Sequence, residues 1–297
     1  MSEHHHHEVK GKNLFITIIL NIIITLAQIT GGIMSGSLAL LSDAMHNFSD
    51  VLALLIAWWA AKLSSRPKSE QKTFGYKRAQ IIAALFNSSA LFGIAIFLII
   101  EAINKLMNPH TIDSLLVIWL GVLSIVLNFA SVLLIKDDVH DNMNMKAAYL
   151  HLLTDVMTSV AVVVGGILMF YFNLFWIDSL VTILIAIYLL SASYSLIKQS
   201  IEILMQSAPN SVDMDKLKSE VENIKEIKNI HHLHLWRLDD HDIHLEAHVD
   251  FEENLNLRDV TKTVDKVILY LKEKYHIAHI TLQAEYDKDD DKELFCS

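Results

Sequence analysis

The chain reads as an α-helical membrane protein, with six transmembrane helices followed by a small cytoplasmic α+β domain. Three observations carry that reading. Of 297 residues, 53% are hydrophobic and the mean hydropathy is +0.36, too apolar for an ordinary soluble domain. The apolar residues fall into six stretches, near 13–34, 38–63, 78–106, 115–135, 147–170 and 177–205, each long enough to cross a bilayer as a helix. All three prolines, Pro67, Pro109 and Pro209, lie between stretches and never inside one, as uninterrupted helices require.

The first stretch is too long for a cleavable signal peptide, lacks a small-residue cleavage site and is followed by five more, so it is expected to remain in the mature protein. Lysine and arginine set the orientation. Lys10 and Lys12 precede the first stretch, Arg66, Lys68, Lys72 and Lys77 lie between the second and third, and Lys136 and Lys146 separate the fourth from the fifth. The opposite connections carry no such residues apart from Lys105 at a helix end, which places both termini in the cytoplasm. The expected division is a His-containing tail at 1–12, a transmembrane domain at 13–208 and a cytoplasmic domain at 209–297.

After Pro209 the pattern changes. A helix is expected over 211–227 with Ser211 or Asp213 as N-cap, then strands over 230–238 and 243–251 around the polar turn Asp239-Asp240-His241-Asp242. In the second strand Ile243, Leu245, Ala247, Val249 and Phe251 alternate with His244, Glu246, His248 and Asp250, which predicts one buried face. A helix over 257–275 and a strand over 277–286 complete an αββαβ order, that of a ferredoxin-like domain. The tail also holds the charge imbalance, with 21 Asp/Glu against 12 Lys/Arg in a chain of net charge −10, which argues against nucleic acid as a partner.

Two His-x-x-x-Asp sequences, His46/Asp50 and His151/Asp155, stand inside apolar stretches two and five. Spacing i, i+4 puts an imidazole and a carboxylate on one helix face, so two such helices could offer four N/O ligands to one metal ion. Ionisable groups inside a membrane are costly and are read as functional. With one cysteine, Cys296, neither an intrachain disulfide nor a thiolate cluster is available, and metal must be held by His and carboxylate. Two imidazoles favour Zn²⁺ and similar ions such as Co²⁺ or Cd²⁺ over Mg²⁺ and Ca²⁺. Asp43 and Asp178 have either capping and helix-pairing roles or a place in an ion path, and Asn87, Asn128 and Ser159 suit interhelical hydrogen bonds. His4 to His7 form a weakly metal-binding run that also matches expression-tag composition; it is read here as natural.

The residues resemble the cation diffusion facilitators, specifically their zinc-transporting members. The resemblance rests on Ser35-Gly36-Ser37-Leu38-Ala39, Leu41-Ser42-Asp43-Ala44-Met45-His46-Asn47 through Asp50, Phe74-Gly75-Tyr76-Lys77-Arg78, and Asn144 through His151 to Asp155. It continues in Trp176-Ile177-Asp178, His231 to Trp236, and Thr281-Leu282-Gln283-Ala284-Glu285. It implies a homodimer, not an enzyme, that exports Zn²⁺ from the cytoplasm in exchange for protons through one tetrahedral site per protomer made by His46, Asp50, His151 and Asp155. It further implies regulatory zinc in the tail at His231, His248 and Glu285, with His232, His234, His279 and Asp250 as additional ligands. A bacterial inner membrane is expected, because no long His-rich loop separates stretches four and five.

The chain also departs from that family. After Pro67 stand Lys68, Ser69, Glu70, Gln71 and Lys72, without the Asp and His that build an additional site in some members. Gln206 stands where the family places an acid to pair with a basic residue such as Lys77 or Arg78. Two other readings share the motif: a passive divalent-cation channel, and a membrane acyltransferase using HxxxD with the histidine as general base.

Overall fold

A computed structural model describes residues 4–108, 110–135 and 143–294. Pro109, Lys136 and Cys296, and the side chains of His4 to His7, Lys10, Lys12 and Lys146, lie outside the described residues. The chain divides into two compact units, one of residues 1–59 and 83–197 and the other of 60–82 and 198–297.

The first unit is built from six helices: α1 (His4–Ser35), α2 (Leu38–Ser64), α3 (Ala79–Met107), α4 (Ser114–Ile135), α5 (Met143–Phe172) and α6 (Trp176–Leu204). Among the described residues four stretches are long and apolar enough to cross a membrane: Ala79–Met107, Ser114–Leu134, His151–Phe172 and Trp176–Leu204. The described apolar part of α1, Ile19–Ser35, is shorter, and α2 carries Asp43, His46, Asn47 and Asp50 within its run. The polar residues that make α2 chemically interesting also dilute its hydropathy.

Burial in this unit is the reverse of a soluble protein's. Phe86, Phe97, Trp119 and Leu184 are exposed, while Gln28, Asp43, Asn47, Ser124, Asn128, Asp155 and Ser159 are buried. That arrangement suits a lipid exterior with hydrogen bonds joining helices inside. Helix α4 packs on both α1 and α5. At the α4–α5 contact a side chain at Gly121 would put its Cβ 2.5 Å from Val163 Cγ2, and one at Gly166 would come 2.9 Å from Ile118 Cγ1. The two glycines therefore set how closely these helices approach.

The short α1–α2 turn uses Gly36 at φ +72°. Asp178, from the first turn of α6, accepts hydrogen bonds from Ser37 Oγ at 2.5 Å, Leu38 N at 2.7 Å and Ala39 N at 3.3 Å. It caps the start of α2 from another helix, so it both caps and pairs helices.

The second unit contains α7 (Met214–Glu222), β1 (Ile227–Arg237), β2 (Ile243–Phe251), α8 (Leu257–Tyr275) and β3 (His279–Glu285), the αββαβ order expected. Asp213 starts α7 by accepting from Lys216 N at 3.1 Å, so the helix is shorter than the expected 211–227. The sheet runs β1-β2-β3, with β1 and β2 antiparallel and β2 and β3 parallel across the α8 connection. Its core comprises Leu217, Val221, Ile230, Leu233, Leu245, Ala247, Val249, Val267, Leu271 and Ile277. The opposite face of β2 was expected to be polar, and it is, but His244 and Asp250 on it are buried. That face is covered at its two ends, while Glu246 between them is exposed.

Lys77 finds its acids in the β1–β2 turn: it donates to Asp242 and lies 3.7 Å from Asp239. The partner missing at Gln206 is thus supplied elsewhere in the same unit, where Phe74 also meets the His244 ring at 5.6 Å.

Glu220 on α7 accepts from Lys274 at 2.7 Å, Tyr275 at 2.7 Å and Tyr270 at 2.8 Å, and these three donors hold its carboxyl at about 2. A depressed carboxyl stabilises the fold above its unfolded value and ceases to do so as pH falls through the folded one. The difference in thermal unfolding between the native protein and Glu220→Gln should therefore be constant above about pH 4.5 and shrink steadily toward pH 2, as followed by far-ultraviolet circular dichroism.

Candidate metal centre

Residues i and i+4 on a helix share a face, so His46 with Asp50 on α2, and His151 with Asp155 on α5, need only that the two helices meet. They do. His46 Nε2 lies 3.3 Å from Asp155 Oδ1 and 3.8 Å from Asp50 Oδ2, and His151 Nε2 lies 3.1 Å from Asp50 Oδ2 and 3.9 Å from Asp155 Oδ2. One ligand atom from each residue falls within 4.8 Å of every other. A tetrahedron with bonds of ~2.0–2.1 Å has edges of about 3.3 Å, so the four His–Asp separations need only small adjustments to close on one zinc-sized ion.

The polar atoms here are also unsatisfied. Both ring nitrogens of His46, Oδ2 of Asp50 and both carboxylate oxygens of Asp155 are buried without a hydrogen-bond partner. Asp155 is 0% exposed, and a carboxylate so placed is strongly disfavoured unless a cation or proton joins it. The His151 side chain, 42% exposed, is the open member of the four.

One helical turn before His46, Asp43 is fully saturated. Its Oδ1 accepts from Thr158 Oγ1 at 3.0 Å, and its Oδ2 from Ser159 Oγ at 3.0 Å and Gln28 Nε2 at 2.5 Å. Asn47 reaches Gln28 Oε1 at 3.0 Å, while Ser159 meets Ser124 at 2.8 Å, which Asn128 approaches at 3.4 Å. This web joins α1, α2, α4 and α5 and fixes α2 against α5 beside the ligands. Asp43 therefore pairs helices, and Ser159 bonds across helices as its type predicted, whereas the Asn128 bond to Ser124 stays within α4.

The tail assembles a second group: His231, His248, Glu285 and Asp290 each present a ligand atom within 4.8 Å of the others. His231 and His248 are partners across β1 and β2, and Glu285 sits in register with Asp250 on β3. His248 Nδ1 is 3.0 Å from Glu285 Oε1, and His231 Nε2 is 3.4 Å from Glu285 Oε2 and 3.7 Å from Asp290 Oδ2. Burial pushes His248 below its ordinary value against the pull of Glu285, which keeps it neutral and able to ligate. Asp250 lies at the other nitrogen of His231, 3.6 Å from Nδ1, where a carboxylate orients a ligating imidazole.

The remaining tail candidates are placed differently. His232, at φ +49° in a bulge of β1, stacks on His248 with ring centroids 4.7 Å apart, and His234 meets His232 edge-on at 5.1 Å. His279 lies instead beside His244, at 5.1 Å. It shares strand parity with Glu285, but six residues along a strand amount to ~20 Å, too far to converge. Asp290 was not singled out by the sequence reading, because nothing in its spacing separates it from Asp289 and Asp291. It is selected by the return of the C-terminal segment along β1, where His232 N donates to Glu293 O at 3.2 Å and Leu233 N to Leu294 O at 2.8 Å.

Comparisons with known proteins agree with this architecture. The family model described as the cation efflux transmembrane domain matches residues 14–205, and that described as the cation efflux protein cytoplasmic domain matches residues 209–287. The chain belongs to the cation efflux family, the cation diffusion facilitators, multi-pass membrane transporters and not enzymes. Among its relatives, the metal cation efflux system protein CzcD of Cupriavidus metallidurans is 33% identical over 288 residues, covering 96% of this chain and 90% of the relative. A cadmium, cobalt and zinc/H⁺-K⁺ antiporter of Bacillus subtilis is 33% identical over 299 residues, covering 99% and 95%. The zinc transporter ZitB of Escherichia coli is 32% identical over 263 residues, covering 88% and 83%. Family membership removes the acyltransferase reading.

Replacing Asp43 by Ala strands the Gln28, Thr158 and Ser159 donors, each unpaired buried group costing about 1–3 kcal/mol before relaxation. Asp43→Ala should lower the melting temperature of the detergent-solubilised protein clearly, and Asp43→Asn, which keeps an acceptor oxygen, should lower it less.

Proposed function

We propose that this protein is a zinc(II)/proton antiporter that exports divalent transition-metal ions from the cytoplasm through a tetrahedral site made by His46, Asp50, His151 and Asp155. The observation that carries this reading is the convergence of two imidazoles and two carboxylates at distances suited to one tetrahedral ion, with His46 and Asp155 buried and their polar side-chain atoms without a hydrogen-bond partner. The relatives named for zinc, cadmium and cobalt support the ion class, and the antiporter's name supports exchange with protons.

The mechanism follows from what the ligands require. Zinc binds neutral imidazoles and ionised carboxylates, so every proton delivered to the site competes for a lone pair the metal needs. Cytoplasmic metal enters the deprotonated site, and protons from the more acidic outer side occupy His46 or His151 and Asp50 or Asp155 as the ion leaves. The web centred on Asp43 holds α2 and α5 in the spacing that lets both ligand pairs act together. In this reading all six helices span the membrane with both termini cytoplasmic, in a bacterial inner membrane. The tail is a ferredoxin-like cytoplasmic domain that binds regulatory zinc and pairs with a second copy of the chain.

Zinc flux into inverted vesicles under an imposed pH gradient tests the proposal. The native protein should move zinc in proportion to the gradient, and Asp50→Ala and Asp155→Ala should each reduce that flux at least tenfold, since even outer-shell changes at metal sites cost about 10–100-fold. Flux that ignores the gradient would instead support a passive channel sharing the same ligands.

A further inference from the structure

The tail group contains two residues that no metal site needs. Lys292 Nζ lies 2.9 Å from Asp250 Oδ2 and 3.6 Å from Glu285 Oε2 and also contacts Asp290, while Lys288 Nζ lies 2.5 Å from Glu285 Oε1 and 3.0 Å from Asp290 Oδ2. The same carboxylates surround His231, whose side chain is 1% exposed and whose two ring nitrogens have no hydrogen-bond partner. Oε2 of Glu285 and Nδ1 of His248 likewise have no hydrogen-bond partner. A purely structural ion-pair cluster would leave no reason for buried imidazoles to face carboxylates unsatisfied.

We infer that Lys288 and Lys292 are built-in counter-ions of the tail site, and that a divalent metal binds His231, His248, Glu285 and Asp290 by exchanging with their two ammonium groups. The inference rests on the reading of the tail as a metal site and adds to it Asp290 as a ligand and the lysines as competitors.

Charge and geometry favour the exchange. Two ammonium groups carry the same charge as one divalent ion, so the carboxylates stay compensated in either state. Without metal, the lysines compensate the acids in place, Lys292 against Asp250 and Asp290 and Lys288 against Glu285 and Asp290. The ligands are thus assembled before the ion arrives. With a divalent ion among the same oxygens, an ammonium group a few ångströms away is repelled at short range and in partial burial, where screening is weakest. Lys288 and Lys292 are 46% and 34% exposed, so both heads can swing into water on their flexible stems while the backbone at Glu293 and Leu294 stays paired to β1. Asp290 then ligates from the place it already occupies.

The test uses the full-length chain in detergent, with Asp50→Ala and Asp155→Ala present throughout so that transport-site binding is removed, and zinc affinity measured by competition with a chromophoric chelator. His231→Ala should abolish tight zinc binding; undiminished binding there would overturn the tail site itself and the exchange with it. Lys288→Met with Lys292→Met should tighten the apparent Kd at least tenfold, and Asp290→Asn should weaken it at least tenfold. Unchanged or weaker binding in the lysine variant overturns the exchange, and unchanged binding in Asp290→Asn overturns its assignment as a ligand.

A second measurement on the native chain avoids any loss of folding in the variants. Acylation of amines followed by mass spectrometry should label Lys288 and Lys292 several-fold faster with zinc than without, while Lys262 and Lys272 stay constant. Equal labelling in both states contradicts the exchange.

Discussion

The structure turns on the cost of burying the Asp155 carboxyl inside an apolar helix pair. A carboxylate at 0% exposure with no hydrogen-bond donor must be neutralised by something that comes and goes. Among the described residues, the groups facing it in the site are His46 and His151, each also facing Asp50. Such a set is stable with a divalent ion bound or with protons bound, and poorly stable with neither. Exchange between those two states is what an antiporter needs, and the surrounding structure serves to keep the four groups together while it happens. Gly121 and Gly166 allow α4 and α5 to touch, Asp178 fixes the start of α2, and the hydrogen-bond web through Asp43 ties α2 to α5 beside the ligands.

The two metal-ligand groups meet the same electrostatic problem by different means. In the transmembrane unit no lysine among the described side chains contacts Asp50 or Asp155, and in the proposed reading their compensation is left to ions that pass through. In the tail, Lys288 and Lys292 compensate the acids in place. The contrast matches their proposed duties, since a transported ion must leave on every cycle, whereas a regulatory ion needs a folded apo state to return to.

Much of this was legible in the sequence because its periods are simple. The helix count, the αββαβ order and the bounds of β2 and α8 follow from 3.6- and 2-residue patterns, and the four proposed ligands, which the structure brings together, follow from i, i+4 spacing repeated in two apolar stretches. What escaped depended on three-dimensional return of the chain. Asp290 is one acid among several until the C-terminal segment pairs with β1, and Lys77 has no visible partner until the β1–β2 turn brings Asp242 to it. His279 shows the opposite failure, since parity gave the right face of β3 and could not report the distance along it. The burial of His244 and Asp250 on the polar face of β2 was hidden for the same reason: alternation separates two faces without saying what covers the second.

The most direct test of the central claim is X-ray absorption at the zinc edge on the full-length protein with the tail site removed by His231→Ala. The account predicts one bound zinc per chain with four N/O ligands at about 2.0–2.1 Å and the multiple scattering of two imidazoles, falling to one in His46→Ala. A site of six oxygen neighbours, or an imidazole count unchanged by His46→Ala, would contradict it.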